Sequence, residues 1–240
     1  MKIIKIIRDK QLELFNNRQP VIAFMGDSVT HGCFGLYVEN DVIRTYMELE
    51  KGYHEKVKEI FRMLYPKVPL TIINAGLSGD KAKGGKNRLD RDVLSFNPDL
   101  VVVCYGLNDA CDEEAGIEEY ISSLNEIFDK IKQHGSEIIF LTPNLRTDEL
   151  NVKFDNQLLN DCALNVIQNE KQGWLDKYLD SACKLCQKKG VIVCDCNKIW
   201  KCLKENDVDI NNLLANRINH PVEKMNWLFA YELVKIMFEK

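Results

Sequence analysis

The sequence predicts an α/β fold in which a five-stranded parallel sheet lies between two layers of helices. One observation is that several short runs are almost wholly apolar, such as residues 100–105, a pattern typical of strands buried on both faces. The other is that each run is followed by a segment with apolar residues at helical spacing. Strands and helices that alternate in this way are typical of three-layer α/β/α proteins.

The individual elements follow from the same two patterns. Strands are predicted at 21–25, 70–74, 100–105, 137–141 and 191–194. Helices are predicted at 53–64, 87–96 and 116–133, over much of 152–189 with a break near Gly173, at 199–203, and from Pro221 onward. Residues 1–19 are expected to form a short helical or edge segment, and 33–52 a long loop rich in acidic and aromatic residues.

The composition is that of an ordinary globular protein of 240 residues with a net charge of −4. This charge leaves no basic surface for nucleic acid, and no stretch approaches the length of a membrane span. Nine cysteines without an export signal favour reduced thiols and a cytoplasmic location. The chain has no repeat or linker, so we expect one domain over 1–240 with a helical insert at about 145–175.

Three polar loops follow three of the predicted strands, at 26–28, 74–76 and 106–109. Right-handed crossovers bring the carboxyl ends of parallel strands to one edge of the sheet, where ligands bind. Ser28 would lie there beside the free N–H groups of the helix that follows, as a nucleophilic serine requires. The same position also suits a serine that only caps the helix.

A serine nucleophile needs a base, and the sequence contains four histidines. His54 and His134 lie near the polar ends of predicted helices, where we expect them to be solvated. His31 is three residues beyond Ser28, which places it far along the following helix. His220 lies just before the last helix, so a loop could carry its imidazole to Ser28; the alternative is a surface or capping histidine.

Several blocks, taken in order, resemble the SGNH hydrolases, the GDSL-type esterases and lipases. They are Gly26-Asp27-Ser28, Asn74-Ala75-Gly76-Leu77-Ser78-Gly79-Asp80, Asn97-Pro98-Asp99, Gly106-Leu107-Asn108-Asp109 and His220-Pro221. The resemblance extends over nearly the full chain and implies a flavodoxin-like α/β/α sandwich. Residues 26–30 lack the second glycine of the α/β-hydrolase nucleophile elbow, which also favours this layout.

The resemblance also implies a reaction: hydrolysis of O-acyl esters of small substrates, such as acetylated carbohydrates, through an acyl-enzyme on Ser28. In this scheme His220 is the general base and then the general acid. Gly76 and Asn108 complete the oxyanion hole with the amide of Ser28, and Asp27 orders the turn. The partner expected is a small-molecule ester, and no cofactor is implied.

One position departs from the family pattern. An aspartate usually stands three residues before the histidine, and here that position is Arg217. An arginine near His220 would lower the pKa of the imidazole, whereas the aspartate stabilises its cation. Another acid could take that place, the nearest in sequence being Asp207, Asp209 and Glu223. Alternatively, the protein uses a Ser–His dyad oriented by a backbone carbonyl, or it is inactive.

Two other functions compete with ester hydrolysis. A catalytically weak or silent SGNH-like domain could bind a ligand or partner through the same cleft, and Arg217 is the feature that favours it. A flavodoxin-type cofactor binder is not favoured, because the loop after the first strand lacks a dense Ser/Thr run. No glycine-rich dinucleotide fingerprint follows a predicted strand either.

Four cysteines could form a thiolate metal site: Cys183, Cys186, Cys194 and Cys196. The first pair lies one turn apart on a predicted helix and the second pair is expected to share a strand face. Structural zinc sites usually lie on knuckle-like loops, so these cysteines are interpreted as small buried side chains and no metal is expected. The loop 33–52 and the insert 145–175 are expected to flank the site or to cover it.

Overall fold

The computed structural model describes residues 1–150 and 152–239 and contains a five-stranded, fully parallel sheet. Its strands are Val21–Gly26 (β1), Thr71–Gly76 (β4), Leu100–Cys104 (β5), Glu137–Leu141 (β6) and Ile192–Cys194 (β7). They lie in the order β4-β1-β5-β6-β7. Two further strands, Cys33–Glu39 (β2) and Val42–Met47 (β3), form a separate antiparallel hairpin.

Helices cover both faces of the sheet. Their bounds are Lys2–Leu12 (α1), Ser28–His31 (α2), Tyr53–Leu64 (α3), Ala82–Asp92 (α4), Glu113–His134 (α5), Gln157–Lys171 (α6), Trp174–Lys189 (α7), Cys196–Glu205 (α8) and Glu223–Phe238 (α9). Helix α9 contacts α1, α3 and α8, whereas α5 contacts α4 and α7, which in turn contacts α6. The predicted α/β/α fold with a five-stranded parallel sheet is therefore confirmed.

The two central strands are buried along almost their whole length. Every residue of β5 and the last five residues of β1 are buried, as expected where helices cover both faces of a sheet. The end of β1 is especially crowded. A Cβ on Gly26 would lie 2.2 Å from Oγ1 of Thr30 and 2.5 Å from the carbonyl oxygen of Cys104. A residue without a side chain is therefore needed where β1 turns into α2.

The prediction of a loop over 33–52 is wrong, because most of this segment forms the hairpin of β2 and β3. Asn40 and Asp41 make its turn with φ angles of 51° and 57°. Two consecutive positive φ angles are typical of type I′ hairpin turns, and asparagine and aspartate tolerate them better than most residues. The Asn-Asp pair, followed by the β-branched Val42 and Ile43, is the sequence signal that favours strands here.

Two helices begin earlier than predicted because carboxylates accept their first N–H groups. Helix α4 begins at Ala82 instead of 87, and Oδ1 of Asp109 accepts the N–H of Ala82 at 2.9 Å. Helix α8 begins at Cys196 instead of 199, and Asp195 accepts the N–H of Lys198 at 3.2 Å. The acceptor for α4 comes from the loop after β5, so no local sequence pattern could reveal it.

The predicted insert at 145–175 contains α6 and the start of α7, preceded by chain without regular structure at 142–150 and 152–156. Asn151, within this insert, lies outside the described residues. No helix in the described ranges is long and apolar enough to cross a membrane.

Candidate active site

Ser28 is the first residue of α2 and follows directly on the turn that ends β1. The cap of this helix is Asp27, whose Oδ1 accepts the N–H of Val29 at 2.9 Å. The interpretation of Ser28 as the capping residue is therefore wrong. Its hydroxyl is left for another partner, although the residue is only 4% exposed.

That partner is His220, which is separated from Ser28 by 192 positions in the chain. Nε2 of the imidazole lies 2.9 Å from Oγ of Ser28, a hydrogen-bond distance. His31 faces elsewhere, since its Nδ1 accepts the N–H of Ser78 at 3.2 Å. The fold thus brings together the serine and the histidine that the sequence singled out.

The loop that carries His220 is held by the segment that follows β6. The N–H of Thr147 donates to the carbonyl of Ile218 at 2.8 Å, and Nδ2 of Asn144 donates to the carbonyl of Asn219 at 2.8 Å. These two hydrogen bonds fix the residues immediately before His220 relative to the sheet edge.

The imidazole of His220 is 2% exposed, and burial lowers its pKa to about 4. The backbone carbonyl of Phe34, which can accept a ring N–H, offsets part of this decrease. The expected effect of Arg217 on this pKa is wrong, because the Arg217 guanidinium turns away and donates to the carbonyl of Asn211 at 3.0 Å. The imidazole is therefore neutral at physiological pH, which is the form that can accept a proton.

The three acids nearest to His220 in the sequence do not take the place of the family aspartate. Asp207 is exposed, Asp209 caps a short 3₁₀ turn, and Glu223 lies 3.7 Å from Nζ of Lys51. Among the described residues, no carboxylate contributes to the pKa of His220. The Phe34 carbonyl, which favours the protonated ring, is the only acceptor that contributes to this pKa among the described residues.

Gly76 is not free to act as a donor. Its N–H donates to Oδ1 of Asn74 at 3.0 Å, and a Cβ on Gly76 would lie 2.2 Å from the backbone nitrogen of His31. Gly76 is thus a point of close contact between β4 and α2. Asn74 also donates from Nδ2 to Nε2 of His54 at 3.0 Å. The prediction that His54 is solvated is wrong, since it is 2% exposed.

Gly79, three residues further on, has the properties expected of Gly76. It is exposed, its φ is 78°, and beyond its chain neighbours no atom lies within 4 Å of a Cβ placed on it. Nδ2 of Asn108 donates to the carbonyl of the adjoining Asp80 at 3.0 Å, so the two loops meet here. Within the described part of the chain, the N–H groups of Ser28 and Gly79 donate to no protein acceptor.

A family model described as the GDSL-like Lipase/Acylhydrolase family matches residues 24–227. The chain belongs to this family. The resemblance of its sequence blocks to the GDSL-type esterases is thereby confirmed.

The relatives of this GDSL-like protein include an acetylxylan esterase from Geobacillus stearothermophilus, 27% identical over 131 residues. That match covers 51% of this chain and 58% of the relative, little more than half its length. A crystal structure of a catalytic mutant of Axe2, also an acetylxylan esterase from Geobacillus stearothermophilus, has a TM-score of 0.68 at 18% identity, covering 92% of this chain and 95% of that one. A lipase/acylhydrolase from Enterococcus faecalis has a TM-score of 0.69 at 20% identity, covering 91% and 95%. At these identities the structural likeness shows the fold.

In this GDSL-like protein, a buried arginine holds together the strand ends that carry the site. Arg88 donates to the carbonyls of Gly26 at 3.1 Å and Ala75 at 2.7 Å, and to Oδ2 of Asp80 at 2.8 Å. It also donates to the hydroxyl of Tyr105 at 2.9 Å. One guanidinium therefore links β1, β4 and the loop after β4. The sequence gives no signal of this role, because Arg88 lies in a polar, charged stretch.

Two carboxyl groups behind the site are buried. Burial raises the pKa of Asp27 and of Asp109 to about 7, and for Asp27 the negative charge of Asp109 adds to the increase. In each, Oδ1 accepts one N–H, and Oδ2 has no hydrogen-bond partner among the described residues. Near neutral pH both groups therefore change charge.

A cleft of about 560 Å³ lies between α6, the turn after Asn108 and the hairpin. Its walls include Ile43, Cys111, Leu158, Cys162 and Asn165. The hairpin and the insert thus lie beside the Asn108 loop, in keeping with the expected flanking position of 33–52 and 145–175.

The nine cysteines all lie within the described ranges and are free thiols. Cys196 begins α8, so the prediction that it shares a strand face with Cys194 is wrong, although their Sγ atoms are 3.9 Å apart. Cys183 and Cys186 lie on α7. Over residues 1–150 and 152–239, no group of three or more potential ligands is placed to hold a metal ion.

Proposed function

We propose that this GDSL-like protein is a serine ester hydrolase that forms an acyl-enzyme on Ser28. The observation that carries the proposal is the 2.9 Å distance between Oγ of Ser28 and Nε2 of His220. A nucleophile and a base within hydrogen-bond distance are the minimum for this chemistry. In Axe2, variants that lack a serine, an aspartate or a histidine are each described as catalytic mutants.

In the first half of the reaction, Oγ of Ser28 attacks the ester carbonyl carbon while Nε2 of His220 takes the hydroxyl proton. The tetrahedral intermediate collapses to the acyl-serine, and the imidazolium returns the proton to the departing alkoxide. In the second half, His220 takes a proton from water, the hydroxide attacks the acyl group, and the proton returns to Ser28. The products are the carboxylic acid and the alcohol.

The oxyanion of both intermediates needs preorganised donors. We assign this role to the N–H of Ser28, the N–H of Gly79 and Nδ2 of Asn108. Gly79 replaces Gly76 in the scheme because the N–H of Gly76 is already bonded to Asn74. Removing one such donor typically lowers kcat by a factor of about 10²–10³.

We propose small O-acyl esters as substrates, with acetylated carbohydrates as the first to test. The acetylxylan esterase relative supports this choice. Polar α6 side chains in the cleft beside Cys111 and Glu113, such as Asn165 and Gln168, offer hydrogen bonds to an alcohol rich in hydroxyls. The free thiols favour a cytoplasmic location, which stays a prediction.

The decisive experiment compares hydrolysis of a short-chain acyl ester by the wild-type protein, Ser28→Ala and Ser95→Ala. Ser95 is an exposed serine remote from the β1–α2 turn, so its variant is the matched control. We expect Ser28→Ala to lose at least about 10³-fold in kcat and Ser95→Ala to retain full activity. Equal rates for the wild type and Ser28→Ala would falsify the proposal.

A silent SGNH-like binding domain is the second candidate, and the observation that favours it is the absence of a carboxylate beside His220 within the described residues. A serine-reactive organophosphorus probe separates the two functions. Stoichiometric labelling of Ser28 supports the hydrolase, whereas no labelling of the folded protein supports the binding domain.

A further inference from the structure

Asn216 organises the turn that carries His220. It is 7% exposed, and its Oδ1 accepts the N–H groups of Ile218, Asn219 and His220 at 3.1, 2.9 and 2.9 Å. These three donors fix the orientation of the amide, because exchanging its oxygen and nitrogen would set an NH₂ group against three N–H groups.

The same amide also contacts the imidazole. Nδ2 of Asn216 lies 3.2 Å from Nδ1 of His220 and 2.9 Å from Oδ1 of Asn219. An amide NH₂ can only donate, so Nδ1 of His220 is the acceptor of this contact. In Ser–His–Asp sites the group at Nδ1 is a carboxylate, which accepts a ring N–H.

We infer that Asn216 is the positioning residue of His220 and stands in the place of the missing acid with the opposite hydrogen-bond polarity. The inference rests on the proposed function. Because Nδ1 accepts from Asn216, the neutral ring carries its proton on Nε2 and donates it to Oγ of Ser28.

Before Nε2 can take the Ser28 proton, the ring proton must move from Nε2 to Nδ1. This shift leaves the number of protons on the ring unchanged, and it breaks the bond from Asn216. Asn216 therefore holds the histidine in position but favours the tautomer that cannot act as a base. A carboxylate at the same point would reverse this preference.

Within the described ranges, no charged group on the neighbouring elements acts on the His220 ring in place of Asn216. Charged groups on these elements include Asp27 before α2, Arg146 after β6, Arg217 in the same loop and Glu223 at the start of α9. None of them contributes to the pKa of His220, and neither does Cys33 of the hairpin or His31 of α2. Arg217, at the family's aspartate position, has a φ of 59° and directs its side chain to Asn211.

The test compares Asn216→Asp with Arg217→Asp, which places a carboxylate at the family position. Asn216→Asp keeps an acceptor for the three backbone N–H groups and gives Nδ1 a carboxylate. We expect the acid limb of kcat/KM to move up by roughly one to three pH units, and kcat/KM at pH 8 to rise roughly tenfold or more. Arg217→Asp should change neither the acid limb nor kcat/KM at pH 8. Aspartate tolerates the positive φ of position 217.

A measurement on the wild-type protein keeps the inference testable if Asn216→Asp does not fold. Nitrogen-15 NMR at pH 7 should show the His220 ring proton on Nε2. A proton on Nδ1, or an acid limb that moves in Arg217→Asp but not in Asn216→Asp, overturns the inference. If Ser28→Ala retained full activity, the proposed hydrolase reaction would be wrong. The NMR measurement would still determine which ring nitrogen of His220 carries the proton.

Discussion

Burial lowers the pKa of His220, and no charged side chain among the described residues contributes to that shift. The residue lies between Ser28 and Asn216, both of which are neutral, and the Phe34 carbonyl is the acceptor that favours its cation. A buried imidazole without a carboxylate is a weak base but stays unprotonated at acidic pH. The His220 imidazole is therefore a weaker base than an ordinary histidine, but it remains unprotonated, and able to accept a proton, at lower pH.

The pH dependence of the reaction follows from this value. Since the pKa of His220 in the folded protein is about 4, the base stays unprotonated well below the ordinary histidine range. We expect kcat/KM for a short-chain ester to be flat from about pH 5 to 6, below the range in which Asp27 and Asp109 change charge, and to fall about tenfold per pH unit below pH 4. Folding must be followed in parallel by circular dichroism. An acid limb with its midpoint near 6.5 in the folded protein would contradict this expectation.

Among the secondary-structure elements, α4 depends most directly on a remote side chain. Asp109, in the turn after β5, caps it through the N–H of Ala82. Burial raises the pKa of Asp109 from 3.8 to about 7, so the folded protein binds this proton more tightly than the unfolded chain. The contribution to stability is fully present below pH 3.8 and is lost as the pH rises through 7.

The variant Asp109→Asn should remove this pH dependence while keeping an oxygen acceptor for α4. Between pH 5 and 8 the wild type should lose roughly 2–3 kcal/mol more of its free energy of unfolding than the variant. Urea titrations at the two pH values measure the difference. Asp112→Asn, at an exposed residue of the same turn, is the control and should behave like the wild type. Identical pH dependence in wild type and Asp109→Asn would show that the carboxyl is ionised throughout.

The sequence predicted the elements whose signals are local. The strand at 100–105 was found because a run such as Leu100 to Cys104 is apolar at every position and has no other place than the interior of a sheet. The hairpin was missed because its turn signal in the sequence, the pair Asn40-Asp41, is also common in ordinary polar loops. The start of α4 was missed because its cap is supplied by Asp109 from another loop.

For the candidate site as well, the sequence predicts some of the residues and not others. Ser28, His220 and Asn108 could be proposed from short motifs because each follows a strand or precedes a helix. The choice between Gly76 and Gly79 as the oxyanion donor could not be made from the sequence, because it depends on which backbone N–H donates to Oδ1 of Asn74. The role of Asn216 depends on which way its side-chain amide points, and neither composition nor residue spacing indicates this orientation.

On the scale of the whole molecule, one segment after β6 joins both sides of the site. Thr147 and Asn144 hold the His220 loop, and Arg146 holds the Asn108 loop. Nη1 of Arg146 donates to the carbonyl of Leu107 at 3.0 Å. Its Nε donates to Oε2 of Glu170 on α6 at 2.8 Å, so the insert, the segment and the Asn108 loop form one connected unit.

Replacing Arg146 tests whether this connection matters for catalysis or only for stability. Arg146→Met leaves Glu170, whose side chain is 13% exposed, without its partner, and the loss of one member of a buried pair typically costs up to about 3–5 kcal/mol. In Arg146→Met/Glu170→Met both charges are gone, so we expect most of the stability to return. We expect kcat to stay low in both variants with KM less affected, because the Leu107 carbonyl has lost its donor and the Asn108 amide is no longer held.

The control for this pair is Lys204→Met, which breaks the exposed ion pair of Lys204 with Asp148. It should change the free energy of unfolding by less than about 1 kcal/mol and leave kcat unchanged. Recovery of both stability and kcat in Arg146→Met/Glu170→Met would mean that Arg146 only compensates Glu170. Recovery of stability alone would mean that the geometry of the oxyanion donors is set by contacts reaching from the insert to the edge of the sheet.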